Sequence, residues 1–271
     1  MASEHETRNP KRTPKVAAIV PAAGAGRRVG GRTSKLFLRV GGQPLLAQTL
    51  RALQASPHVG WILVVTRAED RARVAALIRR ARLSKAQVVS PGGPSRAASV
   101  ARGFAAAPPQ ARWVLVHDAA RPCLTEALIA RAVRAARRRG AVACGLPAHL
   151  TVKAADETGM VRLTLDRERL WFVQTPQVFR REWFAQALAR AGLSPSLPTA
   201  LAGQAGGDGR QAEHRLDHFP DDVSLLEEAG FPVSLVPGDP WNLKVTTPED
   251  LALAETILQR RKRGQERSMV Q

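Results

Sequence analysis

Apolar runs recur along this chain at the intervals that a sheet with crossover helices would set. The first, Val16-Ala17-Ala18-Ile19-Val20, is continuous rather than alternating, as expected of a strand buried on both faces. Residues 61–66, 87–90, 112–117 and 141–147 repeat this character, being short, β-branched and bounded by turn formers. Between them, segments 43–56, 68–82, 95–107 and 125–139 carry apolar residues at helical spacing. The alternation predicts right-handed crossovers and an α/β fold: a mostly parallel twisted sheet with helices on both faces, Rossmann-like in layout. Ligands bind such sheets beyond the carboxyl ends of the strands, so the loops there are the candidates for chemistry.

After residue 148 the alternation breaks. Residues 150–165 alternate weakly around Gly159 and predict a projecting β-hairpin, the centre of an arm spanning about 149–170. Leu170-Trp171-Phe172 reads as an apolar strand, followed by Thr175-Pro176-Gln177. Residues 192–218 are rich in Gly, Pro and Ala and predict a flexible insertion. A strand near 233–236 and a helix opening at Thr246-Thr247-Pro248-Glu249 close the pattern. One domain over 16–260 is expected, between a disordered basic tail (1–15) and a basic C-terminal tail (261–271).

The composition, 44% hydrophobic in 271 residues, is that of an ordinary α/β protein with a substantial core. No apolar run approaches the ~20 residues that cross a bilayer. The amino terminus also lacks the apolar stretch of a signal peptide. With only two cysteines, Cys123 and Cys144, a disulfide framework is not expected, and a reducing cytoplasm is the simplest setting. The formal charge of +18 raises a non-enzymatic nucleic-acid-binding role. No aromatics interleave with the basic clusters, so a stacking platform is missing and the charge reads as solvated faces and tails. Two of the seven lysines, Lys35 and Lys244, fall inside motifs, where a compact ammonium suits phosphate.

Five segments carry the chemistry. Pro21-Ala22-Ala23-Gly24-Ala25-Gly26-Arg27-Arg28, with Lys35 beyond it, follows the first strand. Small residues allow close approach to a ligand, backbone N–H groups suit phosphate oxygens, and Arg28 and Lys35 add charge. A dinucleotide fingerprint is excluded because Val29 stands where its third glycine would fall, and a P-loop because no Gly-Lys-Ser/Thr follows Gly24. Pro91-Gly92-Gly93-Pro94-Ser95-Arg96 leads into a helix; Gly93 and Ser99 suit a base edge, Arg96 a phosphate or a brace, and Ser95 an N-cap. His117-Asp118-Ala119-Ala120-Arg121-Pro122 ends a strand. There Asp118 suits a ribose hydroxyl or a Mg²⁺ shell and Arg121 an anion, while a local ion pair between them is the bland alternative. His117 reads as structural. Asp166-Arg167 with Thr175-Pro176-Gln177, and Trp241-Asn242-Leu243-Lys244-Val245-Thr246, complete the set. Phosphate-directed cations with one carboxylate and no general base fit phosphoryl or nucleotidyl transfer, where positioning and charge stabilisation dominate.

In order and spacing, from about residue 16 to 259, these motifs resemble the 2-C-methyl-D-erythritol 4-phosphate cytidylyltransferases of the non-mevalonate isoprenoid pathway. The resemblance implies a nucleotide-diphospho-sugar transferase fold and a homodimer whose arm helps to form the partner's site. It implies that Ala22, Ala23, Gly24, Gly93, Ser99 and Asp118 hold CTP, and that Arg28, Lys35 and Lys244 are catalytic. Asp118, Arg121, Thr151, Arg167 and Lys244 would bind the methylerythritol phosphate, with Asp118 also a candidate for Mg²⁺. The expected reaction transfers CMP from CTP to the acceptor and releases pyrophosphate. Besides Ser34-Lys35-Leu36 in place of Pro-Lys-Gln, two departures bear on the acceptor: Leu150 where the family has Asp, and Pro220 in place of a threonine before Asp221-Asp222. They leave another polyol phosphate, such as ribitol 5-phosphate, as the alternative acceptor.

Overall fold

The computed structural model describes residues 16–24, 34–193 and 216–269. In chain order it contains β1 (Val16–Pro21), the short pair β2 (Arg39–Val40) and β3 (Gln43–Pro44), α1 (Leu45–Ala55), β4 (Val59–Val65), α2 (Arg71–Arg80), β5 (Ala86–Val89), α3 (Arg96–Ala105) and β6 (Trp113–Val116). There follow α4 (Glu126–Arg139), β7 (Ala141–Pro147), β8 (Val152–Ala155), β9 (Val161–Leu165), β10 (Trp171–Arg180), α5 (Arg181–Arg190), α6 (Asp222–Glu228), β11 (Ser234–Pro237) and α7 (Pro248–Met269).

Seven described strands form one sheet in the order β11-β7-β10-β6-β1-β4-β5. Every pairing is parallel except the two made by β10, which runs antiparallel between β7 and β6. The expected mostly parallel sheet is therefore present, and β1 lies inside it. The continuous apolar run of β1 serves two cores at once. Val16, Ala18 and Val20 face one with Leu50 of α1, Val74 of α2, Leu128 of α4 and Ile257 of α7. Ala17 and Ile19 face the other with Phe104 of α3, Phe184 of α5 and Leu226 of α6. Period-2 alternation thus survives in space although both faces are apolar.

Three features differ from the sequence reading. The strand expected at 170–172 extends through Arg180, because a register shift between Gln174 and Gln177 carries Thr175 and Pro176 past β7. A proline has no N–H for the ladder, and the bulge removes the need for one. Helix α5, which the sequence pattern did not single out, follows at once and supplies Phe184 to the core. Helix α7 runs on to Met269, past the expected domain end at 260. The tail 1–15 and most of the insertion lie outside the described residues, and Leu216–His218 form a 3₁₀ turn.

Strands β8 and β9 pair only with each other and turn through Gly159 at φ 84°, giving the projecting hairpin. Among the described residues no helix is long and apolar enough to cross a membrane.

Phe184 stacks on Phe179 at 4.6 Å between ring centroids and meets Phe104 edge-on at 5.2 Å. Phe184→Ala is expected to cost about 3–5 kcal/mol in urea unfolding, as large-to-small core changes do. A loss below about 1 kcal/mol would mean that this cluster does not anchor α3 and α5 to the sheet.

Candidate functional site

The loops after the carboxyl ends of β1, β5 and β6 open onto a cavity of about 590 Å³, whose walls include Ala22, Ala23, Gly24, Lys35, Gly93, Ser99, Asp118 and Lys244. Backbone bonds hold the loops together: the Ala22 N–H donates to the Val65 carbonyl at 2.7 Å and the Gly92 N–H to Thr66 at 2.7 Å. The glycine-rich loop lies so close to its helix that a Cβ on Gly93 would stand 2.5 Å from Ala98 Cβ and 2.9 Å from Ser99 N. Ser95 caps α3 by accepting from the Ala98 N–H at 3.2 Å. The buried Ser99 hydroxyl accepts from Gly93 N–H at 3.1 Å and donates to the Ser95 carbonyl at 2.9 Å, so it ties loop to helix as well as lining the cavity.

Asp118 is the centre of the charged network. Its Oδ1 takes Arg96 Nε at 3.0 Å; its Oδ2 takes Lys244 Nζ at 3.1 Å and Arg121 Nε at 3.3 Å. Burial by itself would raise this carboxyl, but Arg96, Lys244 and Arg121 outweigh it and hold Asp118 well below the usual carboxylate range. Arg96 also reaches Asp222 Oδ2 at 2.8 Å. Asp222 is fully buried, and burial outweighs Arg96 there, so its carboxyl is raised. Gln177 fixes that corner: its Oε1 accepts from the Asp222 N–H at 3.0 Å and its amide donates to Asp221 Oδ2 at 2.9 Å.

A second set of bonds returns the distant Lys244 segment to β1. The Val245 N–H donates to the Ala120 carbonyl at 2.8 Å, and Lys35 Nζ donates to the Val245 carbonyl at 2.7 Å. Buried Asn242 donates to the Thr175 carbonyl at 2.7 Å and accepts Arg121 Nη1 on its own carbonyl at 2.8 Å. Lys35 and Lys244, 209 positions apart in the sequence, therefore line one cavity.

The remaining sequence candidates fall elsewhere. Arg28 lies outside the described residues. Arg121 is buried against Asp118 and is not on the cavity wall, so the local ion pair weighed from the sequence forms. Thr151 and Arg167 sit at the base of the arm, away from this chain's cavity, and Arg167 Nη1 donates to the His149 carbonyl at 3.1 Å. His117 is structural: burial lowers its pKa to about 4, and its ring lies 3.1 Å from Thr175 Oγ1 and 3.3 Å from the Arg121 carbonyl oxygen. Both cysteine thiols are buried, which pushes Cys123 up to about 11 and Cys144 up to about 12 and makes them poor nucleophiles. Gln177, Asp222 and Asn242 are site residues to which the sequence reading gave no role; all three stand inside quoted motifs, but their role depends on which strands meet.

The side chains do not compose a resident metal site. No three His, Cys, Asp or Glu gather among the described residues. Both oxygens of Asp118 already take cationic hydrogen bonds. Among the described residues, such a donor set falls short of an all-protein cage of oxygen ligands for a divalent cation.

Comparison with known proteins places this geometry. The sequence profile of the 2-C-methyl-D-erythritol 4-phosphate cytidylyltransferase family matches residues 16–260. The chain belongs to this family. It is 37% identical to the 2-C-methyl-D-erythritol 4-phosphate cytidylyltransferase of Syntrophus aciditrophicus (strain SB), over 91% of this chain and 97% of that one. The crystal structure of the cytidylyltransferase from Thermus thermophilus superposes with a TM-score of 0.65 at 31% identity, covering 90% and 99% of the two chains. That of the 4-diphosphocytidyl-2C-methyl-D-erythritol synthase from Anaerococcus prevotii gives 0.70 at 26%, covering 90% and 98%. Within this cytidylyltransferase family, the motif read as a strand-end carboxylate is here a carboxylate surrounded by cations.

That arrangement has a pH signature. A carboxyl depressed below its unfolded value of about 3.9 contributes stability that is complete above that pH and is lost as pH falls through the folded pKa. Asp118→Asn leaves Arg121 and Lys244 without their counter-charge and Arg96 with Asp222 alone, and should cost about 3–5 kcal/mol at pH 7. The gap to the parent protein should narrow between pH 5 and pH 2.5 in denaturant unfolding. A gap that stays constant over that range would rule out Asp118 as the charged hub.

Proposed function

We propose that this protein transfers CMP from CTP to 2-C-methyl-D-erythritol 4-phosphate, giving 4-diphosphocytidyl-2-C-methyl-D-erythritol and pyrophosphate. The carrying observation is the meeting of Lys35 and Lys244 beside Asp118 in one cavity at the strand ends. Small residues, Ala22 to Gly24 and Gly93, let the nucleotide approach the backbone, which supports placing CTP against them. Mg²⁺ would enter with the triphosphate as part of that substrate. In the proposed step a phosphate oxygen of the acceptor attacks the α-phosphorus of CTP in line. The new P–O bond forms as the bond to the bridging β-phosphate oxygen breaks, and pyrophosphate carries away the electron pair. Phosphate oxygens need no general base at neutral pH, so the protein's task is to hold both anions together and to offset charge that grows on the equatorial and leaving oxygens. Lys35 and Lys244 act there, together with Arg28.

The acceptor's phosphate would meet Lys244 from this chain and Thr151 and Arg167 from a partner's arm. A homodimer is supported by the apolar surface that the arm and the strand leaving it expose, with Met160 61%, Leu163 56% and Phe172 51% accessible on the described chain. Leu150 and Pro220 are both solvent-exposed and neither lines the cavity, whereas the departure at Leu36 lies on its wall beside Lys35.

Purified protein with CTP, Mg²⁺ and methylerythritol phosphate should release pyrophosphate, whereas ribitol 5-phosphate should not; turnover with neither would sink the reading. Lys35→Ala and Lys244→Ala should each lower kcat by at least about 100-fold, the scale of one lost transition-state charge contact. Near-normal kcat in either variant removes that lysine from the mechanism. Mixing inactive Arg167→Ala and Arg28→Ala subunits should restore part of the activity if arms are shared, and no recovery would argue for self-contained sites.

A further inference from the structure

We infer that a groove on the opposite side of the Lys35–Phe37 turn is a binding site for a chain of condensed phosphates. The groove has a volume of about 490 Å³ and lies between α1, α2 and the β2–β3 hairpin. Arg39, Arg51, Arg73 and Arg80 line it, and no acidic side chain is among its lining residues. None of the four arginines pairs with a carboxylate among the described residues. Arg39 donates to the Gly42 carbonyl at 2.5 Å, and Arg73 lies 3.7 Å above the Phe37 ring, contacts that orient both guanidiniums without neutralising either.

The other exposed arginine clusters bear on this reading by contrast. Arg67 at the entrance to α2 meets Glu69 and Asp70, so acidic partners are used nearby and are missing from the groove itself. Four like charges around one concavity repel one another, and that repulsion is relieved by an anion seated among them. Guanidinium forks match phosphate oxygens two by two. Arg73 and Arg80 stand seven residues apart on one face of α2, about 10 Å along the axis. A single phosphate would reach one end of that row, whereas a condensed phosphate chain spans it. The Phe37 and Leu77 floor gives the groove an apolar base but no free aromatic face, since Arg73 covers the ring.

The inference does not rest on the proposed reaction, and the test keeps the two apart. Equilibrium dialysis at low salt would count bound tripolyphosphate, and in a second arm ATP, per chain of the intact protein. The double variant Arg51→Ser/Arg80→Ser should bind one equivalent fewer than the parent protein, or bind it at least tenfold more weakly. Arg79→Ser, on the same helix but outside the groove, should retain every equivalent. If the strand-end cavity does not take these anions, the parent protein binds one equivalent and the double variant none, which upholds the groove independently of the CTP reaction. Loss with tripolyphosphate alone assigns a free phosphate chain, and loss with ATP as well assigns the phosphates of a nucleotide. Undiminished tripolyphosphate binding in the double variant, or no tripolyphosphate binding to the parent protein, overturns the inference.

Discussion

Burying the carboxylate of Asp118 is costly, and the site is organised around offsetting that cost. An isolated carboxylate in this position would take up a proton rather than stay charged. Arg96 from the start of α3, Arg121 from the loop after β6 and Lys244 from the far end of the chain remove that option together. Each brings its own segment with it. Arg96 carries the Gly93 loop and, through Asp222, the start of α6; Arg121 carries Asn242; and Lys244 brings the Val245 carbonyl that Lys35 reaches. On the cavity wall three cations, Lys35, Arg96 and Lys244, face the one carboxylate of Asp118. The cavity is thereby left positive, as an anionic ligand requires, while its deepest charges remain matched.

The core was legible from the sequence because β1, β4, β6 and β7 are short apolar runs whose character does not depend on their neighbours. Position in the sheet was not. β10 sits at the centre, yet its middle reads as Thr-Pro-Gln, a turn signal, and only the register shift beside Gln174 makes that tolerable. The bulge has a second consequence. It delivers Thr175 to the His117 ring and the Asn242 amide, and Gln177 to Asp221 and Asp222. The residues that break the strand pattern are therefore those that brace the site, as expected where local rules give way to functional geometry.

For the site residues the sequence carried identity more readily than role. Lys35, Asp118 and Lys244 fall in motifs, and the fold brings them together. Arg121 also sits in a motif, but its guanidinium is spent on Asp118, three residues before it, and on the Asn242 carbonyl, a contact that requires a loop 121 residues away. Ser99 looks like a base-edge ligand from spacing alone, whereas its hydroxyl fastens the Gly93 loop to α3. A side chain's hydrogen-bonding capacity can be listed from its type; which partner takes it up is decided by long-range pairing that no single segment encodes.

The excess of positive charge has the same lesson at larger scale. A net +18 suggests an undifferentiated basic surface. In the folded chain two concavities share the Lys35–Phe37 turn: Lys35 and Leu36 face the strand-end cavity, and Phe37 faces the arginine groove. In the first, the one lining carboxylate, Asp118, is engaged by cations; in the second no carboxylate lines the groove. Charge that is matched by buried partners fixes geometry, whereas charge left unmatched in a concavity raises the local concentration of anions. A compositional feature that looked uniform thus separates into a structural part around Asp118 and a ligand-seeking part around Arg51 and Arg80, with one turn of backbone between them.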